Sequence, residues 1–207
     1  MKISGVYAIT PEITDTAVLL RKVEAVLAGG AHLLQYRSKS ADVALKHEQA
    51  SELLSLCRRF HVPFIVNDDV RLAVLCGADG VHLGADDAPL KEARINLGPE
   101  RIIGVSCYGD LERAARAQAE GADYLAFGSF YSSSTKPQAP LVPVSTLQVA
   151  RARFNLPLVA IGGIQPDNAA ALLQAGVDAI AVISALFDAA DIQYAAQYFA
   201  SIFATKH

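Results

Sequence analysis

A chain of 207 residues that is 52% hydrophobic and 19% charged has the composition of a folded protein and excludes a disordered one. Eighteen basic residues against 21 acidic ones give a net charge of −3, which argues against a nucleic-acid partner. No apolar run reaches the roughly 18 residues of a membrane span, and the opening stretch carries no signal-peptide core, so residence in the cytoplasm is expected.

In chain order, short apolar runs at residues 5–10, 33–37, 63–67, 80–83, 102–106, 124–127, 158–161 and 179–183 alternate with segments of helical periodicity at 17–28, 41–60, 70–76, 89–97, 111–120, 145–155 and 168–175. Continuous apolar runs of four to six residues are the mark of parallel strands covered by helices. Four helices end on a glycine followed by a strand: Ala28-Gly29-Gly30-Ala31, Cys76-Gly77-Ala78-Asp79, Glu120-Gly121-Ala122-Asp123 and Ala175-Gly176-Val177-Asp178. Glycine takes the left-handed conformation that closes a helix without steric cost. Eight such units with no reversal predict a closed (β/α)8 barrel, the TIM-barrel architecture, as one domain over residues 1–207. A doubly wound open sheet is the alternative. The three separated cysteines, Cys57, Cys76 and Cys107, read as reduced thiols.

Polar residues gather where the strands end, which is where barrels of this kind build their sites. Strand two ends in Gln35-Tyr36-Arg37-Ser38-Lys39, strand three in Asn67-Asp68-Asp69, strand four in His82-Leu83-Gly84-Ala85-Asp86-Asp87 and strand five in Ser106-Cys107-Tyr108. Strand six opens into a 16-residue loop, 128–143, that contains Ser133, Ser134, Thr135 and Lys136; a loop of that length in a compact barrel suggests a lid. Carboxylates beyond neighbouring strands, about 4.8 Å apart, can reach one hard cation, and oxygen ligands without histidine or cysteine suit Mg2+. Taken singly, the same aspartates are equally suited to cap the helices that follow near Val70 and Pro89. Arg37, Lys39 and Lys136 supply positive charge for phosphate. Gly162-Gly163, with Pro166 in the first turn of the next helix and Ser184 opening a short helix at 185–187, has the character of a phosphate cradle, although two glycines also suit a tight turn. His82 reads as a buried, hydrogen-bonded histidine, and Tyr36 and Tyr108 as walls of the pocket or packing residues. These features point to phosphorylated small molecules as ligands.

The ordered set Gln35-Tyr36-Arg37-Ser38-Lys39, Val66-Asn67-Asp68, Gly77 through Gly84, Ile103-Gly104-Val105-Ser106, Thr135-Lys136-Pro137 and Ala160 through Ile164 resembles the thiamine-phosphate synthase (thiamine-phosphate pyrophosphorylase) family over essentially the whole chain. The resemblance implies condensation of a hydroxymethylpyrimidine diphosphate with a thiazole phosphate, releasing diphosphate, with Mg2+ as cofactor. It implies that Gln35, Tyr36, Arg37, Ser38, Lys39, Asn67, Ser106 and Lys136 hold the pyrimidine diphosphate, with Arg37, Lys39, Ser106 and Lys136 as the catalytic set. It assigns Asp68 and Asp87 to the metal, and Ser133, Ser134, Thr135, Gly163, Ile183 and Ser184 to the thiazole phosphate. Two departures stand out: serine at position 133 where the family usually has threonine, and Ala85-Asp86-Asp87 where it has a Gln-Glu-Asp run. A thiazole tautomerase, similar in sequence, is expected to lack the metal carboxylates and to carry a histidine after strand five. A non-catalytic binder of thiamine phosphate or a phospho-sugar isomerase would also place phosphate-binding groups at the strand ends.

Overall fold

The computed structural model describes residues 3–39, 41–133 and 138–204. Eight parallel strands close on themselves in sequence order: β1 (Gly5–Ile9), β2 (Leu33–Tyr36), β3 (Phe64–Asn67), β4 (Gly80–Leu83), β5 (Ile102–Tyr108), β6 (Tyr124–Phe127), β7 (Leu158–Ile161) and β8 (Ala179–Val182), with β8 paired to β1. The helices α1 (Thr16–Ala28), α2 (Val43–Phe60), α3 (Val70–Cys76), α4 (Leu90–Leu97), α5 (Leu111–Ala119), α6 (Ser145–Arg153), α7 (Ala169–Gln174), α8 (Ser184–Phe187) and α9 (Ile192–Ala204) cover it. No described helix is long and apolar enough to cross a membrane.

The predicted units are all present, with ends displaced by one or two residues. Pro166 lies in the turns ahead of α7 rather than in its first turn. The last helix, α9, is absent from the elements predicted above. It packs along α1 where Gly29 has no side chain; a Cβ there would meet Ala196 and the Gln193 carbonyl. The neighbouring Gly30, at φ 92°, makes the left-handed turn expected of the helix end.

Local sequence fixes the helix starts. Asp15, Asp42, Asp69 and Asp110 each accept backbone N–H bonds from the first turn of α1, α2, α3 and α5, at 2.8–2.9 Å. Asp69 is thereby used as a cap, whereas Asp68 is not. α4 begins at Pro89 with no side-chain cap, so Asp87 does not cap it either.

At the N-terminal end of the barrel the Gly-Ala-Asp and Gly-Val-Asp segments repeat one construction three times. The Asp79 carboxylate accepts the backbone N–H of Phe64 at 2.8 Å and pairs with Arg58 at 2.9 Å. Asp123 does the same for Ile103 and Arg94, at 2.7 and 2.6 Å, and Asp178 for Leu158 and Arg151, both at 2.8 Å. Each aspartate before an even strand thus ties the start of the preceding odd strand to the helix that led into it. Charge-assisted bonds of this kind satisfy strand-end N–H groups that have no ladder partner.

Tyr7, Ile9, Leu33, Ile65, Ile102, Tyr124, Ala126, Val159, Ala179 and Ala181 fill the barrel interior, while the second apolar cluster lies between strands and helices. Gly104 on β5 makes room for the Tyr124 ring, which a Cβ would strike.

Candidate active site

Above that interior layer the C-terminal strand ends enclose a cavity of about 230 Å³. Gln35, Arg37, Asn67, His82, Ser106 and Tyr108 line one side. Ser133, Gly163, Ile183 and Ser184 line the other. An adjoining, more open pocket is walled by Tyr36, Ser38, Lys39, Asn67 and Asp68. The predicted residues that fall within the described structure are therefore brought to one rim, apart from the Tyr36 side chain, which turns into the helix layer, and Asp87, which joins the rim through Asp68. Ser134, Thr135 and Lys136 lie outside the described residues.

Asp68 sits beyond β3 in the left-handed region, φ 63°, a conformation aspartate tolerates better than most side chains. Its N–H donates to the His82 carbonyl on β4 at 2.8 Å, which turns the carboxylate toward the β4 loop. There Asp87 is its hydrogen-bonding neighbour. Burial first, and then this second carboxylate, push the Asp68 pKa up to about 6, against the opposing pull of Lys39 and Asn67. Asp87 is held by the Gly84 N–H at 2.6 Å. The donor set consists of two carboxylates and no histidine or cysteine, and the described residues contain no cluster of three or more such groups. That suits a hard divalent cation that keeps water and takes phosphate oxygens as its remaining ligands, as Mg2+ does.

Beyond β2, Glu12 organises the cationic segment. It accepts from the Lys39 N–H at 2.8 Å, pairs with Arg37 at 3.5 Å and lies 3.4 Å from Ser38 Oγ. Thr10 holds the Arg37 backbone, accepting its N–H at 2.9 Å. Neither residue was singled out from the sequence; a glutamate 25 positions before the arginine carries no local signal. Tyr36 points away from the rim into the helix layer, donating to Gln49 at 2.8 Å, and is buried. Its side chain packs, and its predicted part in ligand binding is not supported by that direction.

The glycine pair serves loop packing as well as any ligand. Gly162 and Gly163 both have positive φ, and a Cβ on either would collide with the backbone of residues 129–132, which crosses directly over them. Tyr131 N–H donates to the Gly162 carbonyl at 3.1 Å, so the sixth and seventh loops form one wall.

Below the rim, His82 is buried as expected and its Nε2 lies 2.8 Å from Ser106 Oγ. Cys107 is also buried, and burial pushes its thiol up to about 12, which removes it as a nucleophile.

A parallel eight-stranded barrel with carboxylates, cations and hydroxyls converging on the C-terminal ends of its strands defines an enzyme of the TIM-barrel class. Residues 6–186 match the model of a family described as thiamine monophosphate synthase. The chain is 59% identical to the thiamine-phosphate synthase of Thiobacillus denitrificans over 98% of its own length and 96% of that protein. It is 54% identical to that of Methylobacillus flagellatus over 97% and 96%. A solved structure of thiamine phosphate pyrophosphorylase from Pyrococcus furiosus superposes with a TM-score of 0.88 at 37% identity, covering 97% of this chain and 96% of that one. The chain belongs to the thiamine monophosphate synthase family.

Proposed function

We propose that this protein is a thiamine-phosphate synthase that joins 4-amino-2-methyl-5-(diphosphooxymethyl)pyrimidine to a thiazole phosphate, giving thiamine phosphate and diphosphate. The observation that carries the reading is the meeting of Asp68 and Asp87 beside Lys39, on the side of the cavity that Arg37, Asn67 and Ser106 also face. Two partly buried carboxylates are unfavourable neighbours when both are ionised, unless a cation lies between them.

The reaction breaks the bond between the pyrimidinylmethyl carbon and the diphosphate oxygen, and the electron pair departs with diphosphate. The thiazole nitrogen supplies the pair for the new C–N bond and has no proton to lose, so no general base is needed. The chain's task is to neutralise the departing charge and to hold the two rings in line. Arg37 and Lys39, preset by Glu12, stand on the diphosphate side, and Lys136 from the sixth loop is assigned to the same charge. Asn67 and Gln35 hold the pyrimidine diphosphate with Ser106. Asp68 and Asp87 would hold Mg2+, which when bound supplies charge stabilisation for the leaving diphosphate. Ser133, Ser134 and Thr135 with Gly163, Ile183 and Ser184 receive the single phosphate of the thiazole. The order proposed is dissociative, with diphosphate leaving before the thiazole nitrogen attacks.

Purified protein given both substrates should release diphosphate and thiamine phosphate with added Mg2+ and stop with EDTA. Turnover indifferent to the chelator would overturn the role given to the carboxylates, and no turnover at all would overturn the reaction.

A further inference from the structure

A continuous hydrogen-bonded chain crosses the barrel interior beneath the cavity. Gln35 Nε2 on β2 donates to Tyr7 Oη on β1 at 2.8 Å. Tyr7 Oη lies 2.8 Å from Tyr124 Oη on β6, Tyr124 Oη 2.9 Å from His82 Nδ1 on β4, and His82 Nε2 2.8 Å from Ser106 Oγ on β5. Both phenols are fully buried, and burial raises the pKa of each well above its usual value, so they stay protonated.

That chain can be satisfied in one direction once Gln35 donates. Tyr7 accepts from Gln35, so its single hydrogen goes to Tyr124, its other partner. Tyr124 accepts from Tyr7 and so donates to His82 Nδ1. His82 is then neutral with its proton on Nε2, which donates to Ser106 Oγ. No buried side-chain polar atom among the described residues is left without a partner, as this ordering requires. At the two ends, Ser106 has its hydroxyl hydrogen left for the cavity, and Gln35, with one amide hydrogen engaged on Tyr7, has its carbonyl oxygen left as the acceptor of the same cavity beside its second N–H.

We propose that Tyr7, Tyr124 and His82 are positioning residues that fix the hydrogen-bonding sense of the site, so that Ser106 offers a donor and Gln35 an acceptor to a ring that accepts at one edge and donates at another. The proposal rests on reading this cavity as the pyrimidine diphosphate site. An aminopyrimidine matches it, with a ring nitrogen accepting from Ser106 and the exocyclic amine donating to Gln35. The 4-oxo analogue turns a carbonyl toward the Gln35 oxygen and is rejected. Rearranging the site for the oxo ring requires every link to reverse together, from the Gln35 amide to the His82 tautomer. A buried polar group left unpaired in this way discriminates more strongly than shape alone.

Two measurements decide it. In protein labelled with 15N-histidine, with the His82 signals assigned through His82→Gln, the ring is expected neutral at pH 7, protonated at Nε2 and accepting at Nδ1. A proton on Nδ1 overturns the proposal, and this readout stands whether or not the protein turns over. In the second, the kcat/KM ratio for the amino over the oxo pyrimidine diphosphate is expected to be about 1000-fold in the native protein. Tyr124→Phe should reduce that ratio at least tenfold, with Tyr7→Phe as the second variant should the first fail to fold. Equal loss on both substrates, leaving the ratio unchanged, would assign the phenols to packing alone and overturn the proposal. Failure of the native protein on both rings would instead remove the underlying reading of the site, with the histidine signals still deciding the ordering of the chain.

Discussion

Arg113 Nε donates to the Ser106 carbonyl at 2.6 Å while the same guanidinium donates to the Gly84 carbonyl at 2.8 Å. One side chain on α5 thereby holds two strand ends, the one bearing Ser106 and the one whose loop bears Asp87. Lysine offers no fork to span two carbonyls. Arg113→Lys is expected to lower kcat/KM for the pyrimidine diphosphate about tenfold and stability by about 2 kcal/mol, the range for bonds made by a charged donor. Steady-state kinetics and denaturant unfolding check this.

Asp110 caps the helix that carries Arg113, and the N–H of Arg113 leads the causes that hold its carboxyl below the usual aspartate value. A pKa depressed on folding contributes stability above the unfolded value, near 4, and loses it as pH falls through the lower folded value. Asp110→Asn should therefore lower Tm modestly at neutral pH and converge with the native protein in acid, which flattens the acid side of the stability profile below about pH 4. Thermal melts across pH 2–7 read this directly.

Neutralising one member of the carboxylate pair should separate stability from activity. Without metal, Asp68→Asn is expected to raise Tm by a few degrees, because it removes the like-charge contact with Asp87. With Mg2+, the native protein should gain Tm and the variant should not, and its kcat should fall at least 100-fold. Equal Mg2+ responses would contradict the assignment.

The glycine wall predicts a defect confined to one substrate. Gly163→Ala imposes a side chain at φ 62° against the backbone of the sixth loop. The expected result is a rise of roughly tenfold or more in KM for the thiazole phosphate, with a smaller change for the pyrimidine diphosphate.

Lys136→Ala should act on kcat, by about 100-fold, because the charge it is assigned to meet grows as diphosphate leaves. A change confined to the thiazole KM would contradict that role.

The alternation of short apolar runs and glycine-ended helices was enough to read the barrel, because strand and helix periods are local properties. The acidic pairs after strands three and four were legible as candidate metal ligands since those strands are adjacent, and the family resemblance singled out Asp68 and Asp87. Position alone could not tell Asp69 from Asp68, as the physical distinction depends on the positive φ of Asp68 and on the His82 carbonyl that holds it. Glu12 and the Tyr7–Tyr124 contact were not legible: the latter joins residues 117 positions apart. A period-two reading of the strands would have put Tyr7, Gln35, His82, Ser106 and Tyr124 on inward faces, but not their order of contact. The helix α9 lies beyond the last strand of the alternation and its alanine and aromatic run carries no charged residue, so the pattern that marks the barrel units does not reach it.

The repeated aspartate–arginine ties divide the chain unevenly. Each one binds a helix, the odd strand after it and the start of the even strand beyond, so α2–β4, α4–β6 and α6–β8 are closed units. The segments leaving β4 and β6, which carry Asp87 and the lid-length sixth loop, fall between these units, whereas Asp68, Ser106 and Gly163 lie inside them. Two of the working loops therefore sit at seams in the chain, and a change of length in those two leaves every tie at the closed end of the barrel in place.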